Sequence, residues 1–195
     1  MSAEVATSGG GVTLHRLIDL EAAGGDSAAL IAGIGRIFRE TAARWPDAPN
    51  AARAFQDLWL DQYLQHDRDL ALVALAAADG TNSPHVVGYL VGCRIDPATS
   101  HRFASLDYFS TFAAHSAVYP AHLHINVDAD YRGRRIGEHL VDALRKMLRA
   151  DGHAGVHVVT GRDQRNVHFY TRLGFRELAR TPRGATEVLF LARAL

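Results

Sequence analysis

The sequence predicts a single α/β (α+β) domain, and three observations support that class. The 195-residue chain has the size of one domain and can bury roughly 70% of the surface of its unfolded form. Segments with the alternating pattern of strands are interleaved with segments of helical period, and no repeat or low-complexity linker divides them. From His122 to His139 an alternating strand runs into a glycine-punctuated basic turn and then a helix. We therefore expect one domain over 12–195.

The first half of the chain is predicted to form a strand, two helices and two strands. Residues 1–11 are small, polar and glycine-rich, lack the basic start and apolar core of a signal peptide, and are expected to form a flexible tail. Asp26 is a suitable cap for the first helix, while Pro46 and Pro49 separate it from the second. The turn-rich segment 79–84 favours a hairpin. The predicted elements are a strand at 12–17, helices at 26–43 and 51–65, and strands at 70–77 and 85–95.

The second half adds the strand that precedes the basic turn and the elements that follow it. Segment 96–120, rich in His, Ser and aromatic residues, is expected to be partly helical at about 103–114 and to form an inserted lid. Asp151-Gly152 should end the helix after the turn, Asp163 should cap a short helix, and Gly174 should terminate that helix. The predicted elements are a strand at 122–127, a helix to about 150, a strand at 155–160, a helix at 163–173, and strands at 176–180 and 187–193.

Composition excludes several classes of function. Lys plus Arg and Asp plus Glu number 21 each, so no global charge favours nucleic acid or an anionic membrane. The single cysteine, Cys93, excludes an internal disulfide and a cysteine zinc cluster and fits a reducing cytoplasm. The eleven histidines form no HExxH motif, and no window approaches the roughly twenty apolar residues of a membrane span. We expect a soluble cytoplasmic protein without metal, nucleic acid or membrane partners.

The strand, turn and helix beginning at His122 have the features of a phosphate site. Leu123, Ile125 and Val127 alternate with polar residues, as in a strand with two unlike faces. The segment Arg132–Gly137 then opens a helix whose unpaired N–H groups and positive dipole end favour an anion. Glycines let a ligand approach the backbone, and arginines supply forked donors to phosphate oxygens. This pattern indicates a cofactor that carries a diphosphate.

Two motifs in this order resemble the GNAT acetyltransferase superfamily. The turn resembles the family pattern [Q/R]-x-x-G-x-[G/A] through Arg132 and Gly137, with Arg135 in place of the first glycine. The later segment 163–175 resembles N-x-x-A-x-x-F-Y-x-x-x-G-F, with Asp163 and Asn166 in place of Asn and Ala. The resemblance covers nearly the whole order of elements. It implies a mixed, mostly antiparallel twisted sheet of about 6–7 strands with about 4–5 flanking helices.

The resemblance also implies acetyl-CoA and assigns residues to it. Strand-like hydrogen bonds to the pantetheine arm would come from the backbone at Ile125 and Val127, and the Val127 amide would polarise the thioester carbonyl. Arg132–Gly137 would hold the pyrophosphate, and Tyr170 would protonate the departing thiolate. The implied cofactor residues are Ile125, Asn126, Val127, Arg132, Gly133, Arg134, Arg135, Ile136, Gly137, Glu138, Asn166 and Tyr170.

The general base and the acceptor are less closely defined. His122 and His124 are candidate bases because imidazole titrates near neutrality, but packing, lining of the substrate pocket and a water chain remain alternatives. Asp107, Tyr108 and Tyr119 are candidate substrate-pocket residues, with a surface lid as the alternative.

The implied activity is direct transfer of acetyl from acetyl-CoA to a primary amine of a small molecule, or less favourably of a protein, within a ternary complex. The alternative is a noncatalytic domain that binds acetyl-CoA or mediates an interaction. Either form is compatible with a monomer or a homodimer.

Overall fold

A computed structural model describes residues 3–5, 11–77 and 84–195 of the chain. The described residues form two compact units. The first contains the described residues up to Gly92 together with His124–Leu144, and the second contains Cys93–Leu123 and Arg145–Leu195. Within the described residues of both units, no helix combines the length and the apolar character that crossing a membrane requires.

The first unit is a mainly antiparallel sheet with helices inserted after its second strand. Strands β1 to β4 are antiparallel neighbours in chain order, and Val12 pairs with both Val5 and Ala76. Buried side chains fill almost all of β3, which explains its continuous apolar sequence. The elements are β1 (Ala3–Val5), β2 (Val12–Arg16), α1 (Leu17–Ala22), α2 (Ser27–Thr41), α3 (Pro49–Gln56), α4 (Gln62–His66), β3 (Leu72–Ala77) and β4 (Pro84–Cys93).

Strand β4 contains a bulge next to β3. Ala74 pairs with Gly88 and Leu75 pairs with Val86, so the register passes over Val87. An extra residue in one strand interrupts the ladder and redirects the backbone. The main-chain oxygen of Val87 accepts a hydrogen bond from the Asp128 N–H at 3.0 Å. The bulge therefore lies where β4 meets the chain that leaves the fifth strand.

The second unit combines one parallel and two antiparallel strand pairs. In it β5 runs parallel to β6, with Ala121 opposite Val156 and His122 opposite His157. Strand β8 lies between β6 and β7 and is antiparallel to both. The elements are α5 (Tyr108–Ser116), β5 (Ala121–Val127), α6 (Ile136–Ala150), β6 (Gly155–Gly161), α7 (Asn166–Arg172), β7 (Arg176–Arg183) and β8 (Thr186–Ala194), of which β5 and α6 extend into the first unit.

The predicted α/β class is confirmed, and most elements lie within a few residues of their predicted bounds. Asp26 caps α2 by accepting from the Ala29 N–H at 3.0 Å, and Gly152 and Gly174 follow α6 and α7 with φ of 81°. Asp163 was wrongly predicted as a cap, because α7 begins three residues later and Asp163 instead accepts from Thr186 Oγ1. An aspartate side chain can bond to several nearby groups, and the partner that it binds decides whether it caps the start of a helix.

Three elements differ from the expectation. Ala3–Val5, within the predicted tail at 1–11, forms β1, and the remainder of that prediction at 1–2 and 6–10 lies outside the described residues. Leu17 ends the predicted first strand but begins α1, and the predicted helix at 51–65 contains a π-helical turn at Asp57–Asp61. The hairpin turn at 79–84 also lies outside the described residues, apart from Pro84.

Candidate functional site

The end of β5 is held by hydrogen bonds within the first unit. Residues 124–127 are half-buried, unlike the buried start of the strand. The Asn126 side-chain amide donates to the hydroxyl of Tyr89 in β4 at 2.7 Å, and burial raises the pKa of that tyrosine. A buried hydroxyl needs such a partner. Asn126, predicted to contact the cofactor, therefore also anchors its strand, whereas Ile125 and Val127 contribute backbone to the same half-buried edge.

The turn after β5 adopts two left-handed backbone conformations. Gly133 has φ of 78°, and a Cβ added there would meet no atom within 4 Å. Arg135, which replaces the usual glycine, has φ of 60°. A non-glycine residue in this region costs about 1 kcal/mol or more. Arg135 thus lies in a left-handed conformation that favours glycine, the usual residue of the motif at this position.

The three arginines of the turn are each engaged by neighbouring groups. Arg132 Nε donates to the Val127 carbonyl at 3.2 Å, and Arg134 donates to the Asp130 carbonyl while lying over the Tyr131 ring. Arg135 forms a forked ion pair with Glu138, with contacts of 2.7 and 2.9 Å. Glu138, which the resemblance assigns to the cofactor, orients this arginine.

The turn leads directly into the N-terminus of a 15-residue helix. Ile136 is the first residue of α6 and is buried, while Gly137 and Glu138 complete its first turn. The first intrahelical bond joins His139 N–H to Arg135 O at 3.1 Å. The amides before it have no partner inside the helix, and the dipole makes this end positive. The arrangement suits a bound phosphate.

His124 lies beside two aromatic residues of the inserted helices. Its Nε2 is 3.0 Å from the Tyr63 hydroxyl, and its ring is 5.2 Å from Trp59 and 5.1 Å from Tyr63, edge-on to both. Tyr63 is only 1% exposed, so its position is fixed by the core. Trp59 and Tyr63 both fall within the helix predicted at 51–65. Their four-residue spacing indicated a shared helical face but not that the face reaches β5.

His122 has a different environment within the second unit. It is 4% exposed, its ring lies 4.9 Å from Phe103 and 5.3 Å from His157, and its Nδ1 is 3.4 Å from the Pro120 oxygen. His157 stacks on Phe190, and burial lowers its pKa to about 4. Of the two candidate bases, His122 is therefore a core residue of an aromatic cluster.

Tyr170 and Asn166 belong to α7 in the second unit. Tyr170 is 4% exposed and contacts Phe169 and Phe175 with ring centres 5.2 and 5.4 Å away. Burial alone raises its pKa, so its hydroxyl stays protonated near neutrality. The Asn166 side-chain oxygen accepts from Thr160 Oγ1 at 2.8 Å, which leaves its amide nitrogen as the group for a ligand.

The predicted pocket residues lie in and around α5. Asp107 is exposed at its start, Tyr119 is half-buried after its end, and Tyr108 is 4% exposed. The Tyr108 ring contacts Phe109 and Phe112 and lies under the Arg183 guanidinium. Only Asp107 and Tyr119 retain substantial accessible surface. In residues 3–5, 11–77 and 84–195, no group of three or more His, Cys, Asp or Glu side chains is arranged to hold a metal ion.

A family model supplies the class of this protein. The model of the acetyltransferase (GNAT) family matches residues 34–175, which include both the turn and α7. The chain therefore belongs to the acetyltransferase (GNAT) family, and the resemblance inferred from the two motifs is confirmed. Its domain is of the N-acetyltransferase type.

Solved structures show the same fold. An apo variant of agmatine N-acetyltransferase has 18% identity and a TM-score of 0.60, over 94% of this chain and 99% of the other. Ribosomal-protein-S5-alanine acetyltransferase from Vibrio fischeri has 15% identity and a TM-score of 0.59, over 100% and 96%. The yncA protein of Salmonella typhimurium, classed as an acetyltransferase and solved with its cofactor acetyl-CoA, has 16% identity and a TM-score of 0.56, over 94% of each. At these identities the likeness concerns the fold.

Proposed function

We propose that this protein transfers the acetyl group of acetyl-CoA directly to a primary amine of a small molecule. The turn at Arg132–Gly137 carries the proposal, because it joins a half-buried strand end to a long helix N-terminus lined by arginines. Family membership supplies the reaction class. We further propose one catalytic domain over 12–195, located in the cytoplasm, as a monomer or homodimer.

The residues of the turn fit a diphosphate-bearing cofactor. The left-handed residues Gly133 and Arg135 turn the chain towards α6, whose first amides are donors without intrahelical partners. Arg132 and Arg134 each donate to a main-chain oxygen, which holds both guanidinium groups at the turn, and such forked groups suit phosphate oxygens. When bound, acetyl-CoA supplies the acetyl group as a thioester. The Val127 amide would donate to the oxygen that gains negative charge.

Tyr170 is proposed as the acid that serves the departing sulfur. Its raised pKa keeps the hydroxyl protonated, as an acid requires before the carbon–sulfur bond breaks. A thiol of cysteine-like pKa, about 8.5, is more acidic than this phenol in water. The hydroxyl would therefore stabilise the thiolate chiefly by hydrogen bonding, with proton transfer favoured only while the sulfur is desolvated.

His124 is proposed as the base that accepts a proton from the acceptor ammonium. An alkyl amine with a pKa of about 10.4 is protonated at neutrality and must lose a proton to attack the thioester. His124 is half-buried and directly precedes Ile125–Val127, whereas His122 is buried among Phe103 and His157. A water chain could carry the proton from the amine to the imidazole.

The acceptor is proposed to be small. Agmatine N-acetyltransferase shares the fold and is named for a small amine, although the alanine acetyltransferase of a ribosomal protein shares it too. Asp107 and Tyr119 are proposed to line the acceptor pocket, with Tyr108 supporting them from the core.

An amine panel with thiol detection tests this function. Wild-type protein should release CoA in proportion to acetylated amine, and Tyr170→Phe should lower kcat by about a hundredfold while its acetyl-CoA affinity is retained. Arg132→Ala and Gly137→Glu should weaken acetyl-CoA binding in calorimetry. Arg149→Ala, an exposed arginine in the last turn of the same helix, is the matched control and should bind normally.

A noncatalytic acetyl-CoA-binding domain is the second candidate function. The burial of Tyr170 among aromatic rings favours this function, because the same contacts serve packing. That function predicts tight binding of acetyl-CoA, no thiol release with any amine, and no change in affinity on Tyr170→Phe.

Protein and peptide amines belong in the panel, since transfer to them alone would exclude a small-molecule acceptor.

A further inference from the structure

Arg36 in α2 joins three elements of the first unit that lie far apart in the sequence. Its Nη1 donates to Asp128 Oδ2 at 2.9 Å and to Glu40 Oε2 at 2.7 Å, and its Nη2 donates to the Val86 carbonyl at 3.1 Å. Helix α2 lies close to β4, since a Cβ on Gly33 would be 2.9 Å from the Val86 side chain. The rigid, forked guanidinium suits such a junction because its donors point in fixed directions.

The carbonyl that Arg36 binds belongs to the bulge of β4. The β3–β4 register passes from Val86 to Gly88, and the extra residue, Val87, offers its carbonyl to the Asp128 N–H. A bulge leaves the ladder locally interrupted. Arg36 supplies a donor at this interruption, so the guanidinium and the main chain of Asp128 bind adjacent carbonyls of the same bulge.

Asp128 is the first residue after β5, and both oxygens of its carboxylate accept hydrogen bonds. Oδ1 accepts from the Asp130 N–H at 3.2 Å and Oδ2 accepts from Arg36 at 2.9 Å, while the main-chain N–H binds Val87. Burial acts to raise the pKa of this carboxyl, but the bonds from Arg36 and Asp130 hold it below the ordinary value. The side chain thus sets the direction in which the chain leaves β5 towards Arg132.

We propose that Arg36 is a positioning residue for acetyl-CoA, acting through Asp128. This inference rests on the proposed function, because in it the Arg36–Asp128 ion pair orients the turn that holds the diphosphate. The pair fixes the chain between Val127 and Arg132, and it neutralises a carboxylate that lies four residues before the phosphate-binding arginine. Removing Arg36 would release the turn and leave that carboxylate free to repel phosphate.

Steady-state kinetics of five variants, including Asp128→Asn alone and combined with Arg36→Met, test the proposal. Arg36→Met should raise the KM for acetyl-CoA about tenfold, with kcat and the acceptor KM changed less than about twofold. Arg36→Lys keeps the charge without the fork and should fall between wild type and Arg36→Met. In the Asp128→Asn background, Arg36→Met should have little further effect. Arg39→Met removes an exposed arginine of the same helix and should leave the KM unchanged.

Two results would overturn the proposal while the proposed function stands. One is an unchanged acetyl-CoA KM in Arg36→Met, and the other is the same rise in KM with and without Asp128→Asn. If Arg36→Met does not fold, Arg36→Lys in the two backgrounds gives the same comparison. A wild-type protein that binds no acetyl-CoA in calorimetry refutes the proposed function and this role of Arg36 together.

Discussion

His122 and His124 lie two residues apart on β5, yet their side chains differ in burial and in the groups that they contact. His122 is buried in the second unit among Phe103 and His157. His124 is half-buried in the first unit and has its Nε2 beside the hydroxyl of a core tyrosine. Two histidines on one strand therefore have different environments, and we propose proton transfer only for His124. Measurements of stability and of turnover separate a packing role from a catalytic one.

Replacing His122 should affect stability most. His122→Ala removes a ring from the aromatic cluster, and we expect a loss of about 3–4 kcal/mol in the free energy of unfolding. Urea unfolding measures the loss, and kcat at a temperature well below the transition should stay near wild type. A normal unfolding curve with a large fall in kcat would instead identify His122 as the base. His122→Phe, which keeps a ring, is the control and should be less destabilised.

The ring neighbour of His122 gives the cluster a dependence on pH. Burial lowers the pKa of His157 to about 4 in the folded protein, against about 6.5 when unfolded. Below pH 6.5 the unfolded chain therefore binds a proton that the folded chain does not. Stability should fall by about 1.4 kcal/mol per pH unit down to about pH 4, roughly 3 kcal/mol in all.

Unfolding of His157→Phe across this pH range measures that contribution. The substitution keeps a ring stacked on Phe190 but removes the titrating group, so the fall in stability towards pH 4 should be shallower than in wild type. The difference between the two proteins cancels the titration of carboxylates that both contain. Parallel pH curves would show that His157 titrates normally and that the cluster accepts charge.

Replacing His124 should affect turnover and spare stability. His124→Gln keeps a polar side chain but no base, and we expect kcat to fall about a hundredfold, equivalent to about 2.7 kcal/mol. The unfolding transition should move little because the residue is only half-buried. His66→Gln, at an exposed histidine of α4, is the matched control and should retain full kcat. Full activity in His124→Gln would show that another residue or water acts as the base.

The sequence revealed the local parts of the site better than the contacts between distant residues. The strand before Arg132, the turn and the helix after it follow one another directly, so periodicity and glycine placement were sufficient to predict them. The bonds that fix these parts join residues far apart: Tyr63 and His124 are separated by 61 positions, and Arg36 and Asp128 by 92. Neither an arginine in a helix nor a tyrosine in an apolar stripe identifies such a partner, because the fold brings the two together.

Removing the Tyr63 hydroxyl, which lies beside His124 Nε2, should have the smallest effect. Tyr63→Phe removes only the hydroxyl beside Nε2 and leaves the buried ring in place, so kcat should fall about five- to tenfold. Because the hydroxyl acts through the imidazole, the same substitution should have no further effect in the His124→Gln protein. Equal losses in both backgrounds would mean that Tyr63 acts independently of His124. Its hydroxyl would then stabilise the helices inserted between β2 and β3 rather than the base.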